Sequence, residues 1–191
     1  MTGSHLTSMH SMDNYYVSKL LPLMREAGLH AVANPLINIT LQGRHDSYPK
    51  RRGMTRVPEL LAAGINVGFG HDCVLDPWYS LGSGDMLEVA SMGLHVAQMT
   101  SLSGMRACFD AVTVNNARIL GLDGPGGYGL AVGQRADFVL LQARSPVEAL
   151  RLRARRLLVV HGGRVLARAP ATAVTLSLPG RPPSVDFTLQ R

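Results

Sequence analysis

Residues 65–70, Ile-Asn-Val-Gly-Phe-Gly, constrain this chain more than any other stretch. The apolar run is too short for a globular helix, and Gly64 and Gly70 punctuate it on either side, so it reads as a buried strand. A polar, turn-rich loop follows at once and gathers His71, Asp72, Cys73, Asp76 and Trp78. In sheets built from βα units, reactive side chains sit at the carboxyl ends of the strands, where they project into a shared mouth. His71 and Asp72 stand at that place.

The surrounding pattern fits such units. A helix capped by Asp13 or Asn14 runs to about Ala27 and is closed by Gly28, with Pro22 inside it. Residues 29–33 read as a second short strand, ended by Asn34-Pro35. Residues 36–52 read as a long polar loop of the kind that covers a site. Thr55 then caps a helix that Gly64 ends, and Asp85 begins another that extends towards Met99. A further helix is expected over 107–120, followed by a glycine-rich break at 121–129. Strand, helix, loop and helix at these spacings predict parallel strands linked by crossovers.

From Leu130 the pattern changes to short β runs at 136–141, 157–166 and 173–176. The middle run turns at Gly162-Gly163, a helix is expected around 146–153, and the Pro-rich tail from Pro179 is expected to lie along a surface. The division this suggests is 1–125 for the βα part and 126–191 for a β-rich domain with its tail.

Composition excludes several function classes. With 191 residues the chain can bury a substantial core, and no apolar run reaches the roughly 20 residues of a membrane span. No membrane partner is expected, and the cytoplasm is the expected location. The formal charge of +6 raises nucleic acid as a partner, but the cations are spread along the chain, with short clusters only at 50–52 and 151–156. No nucleic-acid partner is expected. Two cysteines, Cys73 and Cys108, with no CxxC, suggest neither a disulfide framework nor a Cys-based zinc site.

Four blocks in order resemble the metal-dependent amidohydrolases, and most closely the bacterial cytosine deaminases. They are Ser4-His5-x-Thr7-x-Met9-His10-Ser11; the run from Val32-Ala33-Asn34-Pro35-Leu36-x-Asn38 to Gln42-Gly43-Arg44; Tyr48-Pro49-Lys50-Arg51-Arg52-Gly53; and Gly64-Ile65-Asn66-Val67-x-Phe69-Gly70-His71-Asp72 with Asp76-Pro77-Trp78-Tyr79. Thr113-x-Asn115-x-Ala117-Arg118 and Gly133-x-x-Ala136-Asp137 look like the segment that returns many such enzymes from the barrel to a β domain.

The resemblance implies an α/β fold: the C-terminal part of a (β/α)8 TIM barrel, from the end of the sixth strand, plus a small β-rich accessory domain. It implies hydrolytic deamination of cytosine or a related N-heterocycle by a water activated on one divalent metal ion, Fe or Zn. Asp72 matches the metal-binding aspartate that also moves the proton, and His5 matches a histidine that hydrogen-bonds the attacking hydroxide. Trp78 matches an aromatic wall of the base pocket. His71 is read as a packed residue beside the site, and His10, His45 and His95 as structural or surface. Homo-oligomerisation is expected for the complete enzyme.

Two departures bear on function. Cytosine deaminases commonly carry a second acid directly after the metal aspartate, facing the pyrimidine, and here that position is Cys73. A thiol is a weak hydrogen-bonding group, so isocytosine, a triazine or another cyclic amidine stands as an alternative substrate. The family's His-x-His pair, its further metal His followed by a proton-shuttling Glu, and its substrate-holding Gln find no match. One carboxylate does not hold a catalytic metal, so this chain by itself is expected to be an incomplete, inactive fragment. A non-catalytic interaction module is the remaining alternative.

Overall fold

The computed structural model describes residues 1–184, and the chain divides into two compact units, Met1–Tyr128 and Gly129 onward. The first unit is built on a three-stranded sheet of β1 (Thr2–Ser4), β2 (His30–Ala33) and β3 (Val67–Phe69), in that spatial order. Both pairings are parallel, with Gly3 opposite Ala31 and Val32 opposite Gly68. Every residue of β3 is buried, as a strand covered on both faces requires.

Parallel neighbours need crossovers, and helices supply them. The first is α1 (Asn14–Glu26), where the Asp13 carboxylate accepts the Tyr16 N–H and so satisfies one of the free donors of the first turn. Pro22 is tolerated because the carbonyl it leaves unpaired, that of Ser18, lies on the exposed side of the helix. Val17 and Met24 are the buried residues of α1, and α4 (Met86–Val96) packs against β3 and the helices Pro35–Leu41 and Leu102–Ala111 and buries Leu87, Val89, Ala90, Gly93, Leu94 and Val96. The Asp85 carboxylate caps α4 by accepting from Leu87 and Glu88. Gly93 is required there, since a Cβ would stand 2.4 Å from the Phe69 ring.

The crossover from β2 to β3 differs from expectation. Residues 36–52 are not one long loop, because α2 (Pro35–Leu41) starts directly after Asn34 and buries Leu36, Ile37 and Asn38. Pro35 occupies the first helical position, where its missing N–H has no partner to lose, so the residue that ends β2 also opens a helix. The irregular segment covers 42–56. The following helix, α3 (Val57–Ala62), has Arg56 rather than Thr55 at its cap; Thr55 is buried, with its hydroxyl on Met9 Sδ. Gly64, at φ +78°, ends this segment as expected.

The single helix expected over 107–120 is two. The first, α5 (Leu102–Ala111), starts earlier, where the Ser101 hydroxyl accepts the Gly104 N–H, and the chain breaks at Val112-Thr113 before α6 (Val114–Ile119). The Thr113 hydroxyl turns back onto the Phe109 carbonyl at the break. Asn115 and Asn116 then donate their side-chain amides to the Val67 and Phe69 carbonyls of β3, at 2.9 and 2.8 Å.

The second unit holds an antiparallel sheet of β4 (Phe138–Leu141), β5 (Arg156–His161) and β6 (Arg164–Arg168), in that order, with α7 (Pro146–Arg151) between its first two strands. The hairpin turns at Gly162 and Gly163, both at positive φ. Asp137 ties this turn down by accepting the Gly162 N–H at 2.5 Å and the Arg135 Nε–H at 3.0 Å. Residues 173–176 form no strand: they carry a β pattern, but the sheet consists of β4, β5 and β6 and pairs none of them. The part of the tail beyond 184 lies outside the described residues. No helix of the described residues is long and apolar enough to cross a membrane.

Candidate active site

The carboxyl ends of the three parallel strands bring His5, Asn34 and Asp72 together. His5 follows β1, donates its backbone N–H to the Val32 carbonyl at 2.8 Å, and then turns at φ +64° with Leu6 at φ +48°. Asp72 follows β3 at φ +65°. Non-glycine residues held in this left-handed region cost of order 1–3 kcal/mol each and persist only where the surroundings enforce them. The His5 Nε2 and Asp72 Oδ2 atoms stand 3.2 Å apart, and the two side chains are 42% and 32% exposed, open on one side.

Two buried amides back the histidine. Asn34 and Asn38 are 4% and 2% exposed, and their Nδ2 atoms lie 3.2 and 3.0 Å from His5 Nδ1. Asn38 Oδ1 accepts the Asn34 backbone N–H at 3.1 Å, and Asn34 Nδ2 also reaches Ser4 Oγ at 3.4 Å. Gly70 is needed for this arrangement, since a Cβ would stand 2.3 Å from Asn34 Oδ1. Asn38 was hidden by reading 36–52 as loop, and Asn34 by its reading as the end of the second strand alone. The signal for them was the i, i+4 pair in Asn34-Pro35-x-x-Asn38, which places both on one face of the helix that Pro35 opens.

His71 shapes the loop that carries Asp72. Its ring is buried, with Nδ1 3.0 Å from the Cys73 carbonyl and Nε2 accepting the Gly84 N–H at 3.3 Å. Gly82, at φ +93°, lies against the ring, where a Cβ would approach Cε1 to 2.5 Å. Further along, Asp76 Oδ1 accepts the N–H groups of Trp78 and Tyr79, both at 2.9 Å, closing a tight turn. Tyr79 is buried and Trp78 is 69% exposed.

The Cys73 sulfur lies 3.8 Å from Asp72 Oδ1. Hydrogen bonding to the Asp76 carboxylate, burial, and the charges of Asp72 and Asp76 push the thiol up to about 11, which favours its protonated form at neutral pH. The same contact, with the Tyr79 and Trp78 N–H groups, holds the Asp76 carboxyl below its usual range.

For a resident metal ion the donor set is too small. Asp72 is one carboxylate, and among the described residues no group of three or more His, Cys, Asp and Glu is placed to hold an ion. A cavity of about 480 Å³ opens elsewhere, lined by His10, Arg51, Arg52, Thr55, Arg56 and Glu59 among others. It contains neither His5 nor Asp72, and all three of its arginines are engaged: Arg51 with Asp46, Arg52 with the Val96 carbonyl, and Arg56 with the carbonyls of Met9 and Met12.

A profile described as Amidohydrolase family matches residues 1–167. The chain belongs to the amidohydrolase family. Among solved amidohydrolases, the 5-methylcytosine deaminase from Klebsiella pneumoniae liganded with 5-fluorocytosine superposes with a TM-score of 0.86 at 42% identity, over 94% of this chain and 43% of that one. The N-isopropylammelide isopropylaminohydrolase from Burkholderia multivorans follows with a TM-score of 0.73 at 31% identity, over 87% of this chain and 39% of that one. A pterin deaminase from Rhizobium rhizogenes is 32% identical over 170 residues, 88% of this chain and 38% of that protein. The chain thus spans about two fifths of the length of the amidohydrolases it matches.

Proposed function

We propose that this chain is the C-terminal part of a hydrolytic deaminase acting on cytosine or a 5-substituted cytosine. The observation that carries the reading is the His5–Asp72 pair, held at 3.2 Å at the mouth of the parallel sheet by two left-handed residues and a buried amide network. In this reading β1, β2 and β3 are the last strands of a (β/α)8 barrel, and the second unit is an accessory β domain. The 42% identity to a 5-methylcytosine deaminase supports the substrate class.

Hydrolytic deamination forms a C–O bond between water and the ring carbon and breaks the C–N bond to the exocyclic amino group, which leaves as ammonia. The water must lose a proton and the departing nitrogen must gain one. Asp72 is the group that takes the first proton, since an ionised carboxylate within reach of the oxygen is a competent acceptor. His5 stands beside that carboxylate and hydrogen-bonds the same oxygen. The family's divalent ion, iron or zinc, when bound supplies a water that ionises near neutral pH. Asp72 would be this chain's residue towards such an ion, and among the described residues no group of three or more possible ligands stands with it.

Cys73 supports the 5-substituted ring over cytosine itself. A neutral thiol is small and only weakly polar, so it tolerates an apolar substituent where a carboxylate would have to be desolvated. Trp78 is the proposed aromatic wall, placed on the same loop by the Asp76 turn. A second reading, an amidohydrolase for isocytosine or a triazine, rests on the same Cys73.

The test is ammonia release by the complete protein containing this chain, over cytosine, 5-methylcytosine, isocytosine and a triazine. Turnover highest on the two cytosines is expected. Turnover confined to the other rings supports the second reading, and no ammonia from any of them contradicts both. Residues 1–191 alone binding one divalent ion tightly and releasing ammonia contradicts the incomplete site.

A further inference from the structure

We propose that Asn38, assisted by Asn34, is a positioning residue that locks the His5 imidazole in its Nε2–H tautomer, so that the ring presents a proton donor to Asp72 and to the reacting oxygen. The role in turnover rests on the deaminase reading; the tautomer does not. Which nitrogen carries the proton follows from what each neighbour can do. The Asn34 backbone N–H only donates, and it lies 3.1 Å from one end of the Asn38 amide, so that end is the carbonyl oxygen. The other end is therefore the amide NH2, 3.0 Å from His5 Nδ1.

An amide NH2 cannot accept, so Nδ1 must offer its lone pair. A neutral ring then has its single proton on Nε2, and the atom facing Nε2 is the Asp72 carboxylate oxygen at 3.2 Å, which accepts. Asn34 Nδ2, 3.2 Å from the same Nδ1, adds a second donor. Both amides are buried, at 2% and 4% exposure, so water does not substitute for them. With the opposite tautomer, an N–H would face the two amide donors and a bare ring nitrogen would face a carboxylate.

The Asn38→Asp substitution is nearly isosteric and reverses the logic. Its carboxylate still accepts the Asn34 N–H and now presents an acceptor to Nδ1, which must carry a proton to meet it. The experiment is a long-range 1H–15N correlation spectrum of the histidine rings in the 191-residue chain, at a pH where the His5 ring is neutral, with His5 assigned from its loss in His5→Gln. The wild type is expected to show an unprotonated Nδ1 and a protonated Nε2, and N38D a protonated Nδ1.

A wild-type ring protonated at Nδ1 overturns the proposal, whether or not the variant folds. So does a folded N38D chain whose Nδ1 remains unprotonated. The readout does not depend on turnover: the expected spectra stand even where the complete protein deaminates nothing, and a failed tautomer leaves the deaminase reading intact.

Discussion

His5 and Asp72 meet at 3.2 Å although the strands they follow are not neighbours: β1 and β3 flank β2, so the contact spans two inter-strand spacings, roughly 9–10 Å of backbone. The left-handed turns close that gap. His5 directly after β1 and Asp72 three residues after the end of β3 both sit at positive φ, and Asn34, directly after β2, forms the floor beneath His5 with its amide 3.2 Å from the ring. The strain at His5, Leu6 and Asp72 is thus tied to the side-chain geometry, and the buried amides of Asn34 and Asn38 supply part of what holds it.

Gly70 is the spacer of this floor. Replacing it with Ala puts a Cβ 2.3 Å from Asn34 Oδ1, and relief requires moving a buried side chain or the strand end. The expected cost is about 1–3 kcal/mol, read as a lowered urea midpoint. Gly124→Ala, where nothing lies within 4 Å, is the control and is expected to stay within about 0.5 kcal/mol. Equal midpoints for the two variants would contradict the packing account.

Neither thiol is expected to react readily at neutral pH. Cys73 is pushed up to about 11, chiefly by its hydrogen bond to Asp76, and Cys108, fully buried, to about 12 by burial. Alkylation of the folded chain by iodoacetamide is expected to be slow near neutral pH, with Cys73 accelerating as the pH rises towards 11 and Cys108 reacting only on unfolding. Removing the leading cause, in Asp76→Asn, lowers the Cys73 pKa and speeds its labelling near neutral pH. Rapid labelling of wild-type Cys73 at neutral pH would contradict this.

The acid side of the stability profile has a local contribution from Asp46. Its carboxylate receives the Arg51 Nε–H and Nη2–H, both at 2.6 Å, and these bonds pull it down from 3.8 to about 2. A carboxylate lowered in the folded state contributes stability that is present above its unfolded value and is lost as pH falls towards the folded one. The stability of wild type and Asp46→Asn, followed by denaturant unfolding, is therefore expected to differ above about pH 5 and to converge as pH approaches about 2. Because the pair is at the surface, the difference is small and shrinks with salt. A gap that widens on acidification would contradict the assignment.

How much of this was legible in the sequence follows from what each signal encodes. The strand at 67–69 and the loop after it were readable because glycines bracket a run too short for a helix, and the caps at Asp13 and Asp85 because an acid precedes each helical period. Pro35 misled, since a proline that ends a strand and one that opens a helix look alike; with α2 unread, Asn34 and Asn38 stayed out of the site. The break at Val112-Thr113 was invisible because helical spacing continues across it. Residues 173–176 have a strand's pattern, and a pattern alone does not supply a neighbouring strand. His5 and Asp72 were singled out through family resemblance; their contact depends on backbone conformations that no spacing reveals.

The most direct test of the account is ammonia release from 5-methylcytosine by the complete protein, compared between wild type and Asp72→Asn. The carboxamide keeps the shape of the side chain but cannot take a proton, so kcat/KM is expected to fall by at least about 100-fold, with the thermal midpoint nearly unchanged at this partly exposed position. A variant that keeps wild-type turnover within a few-fold would contradict the assignment of the chemistry to Asp72.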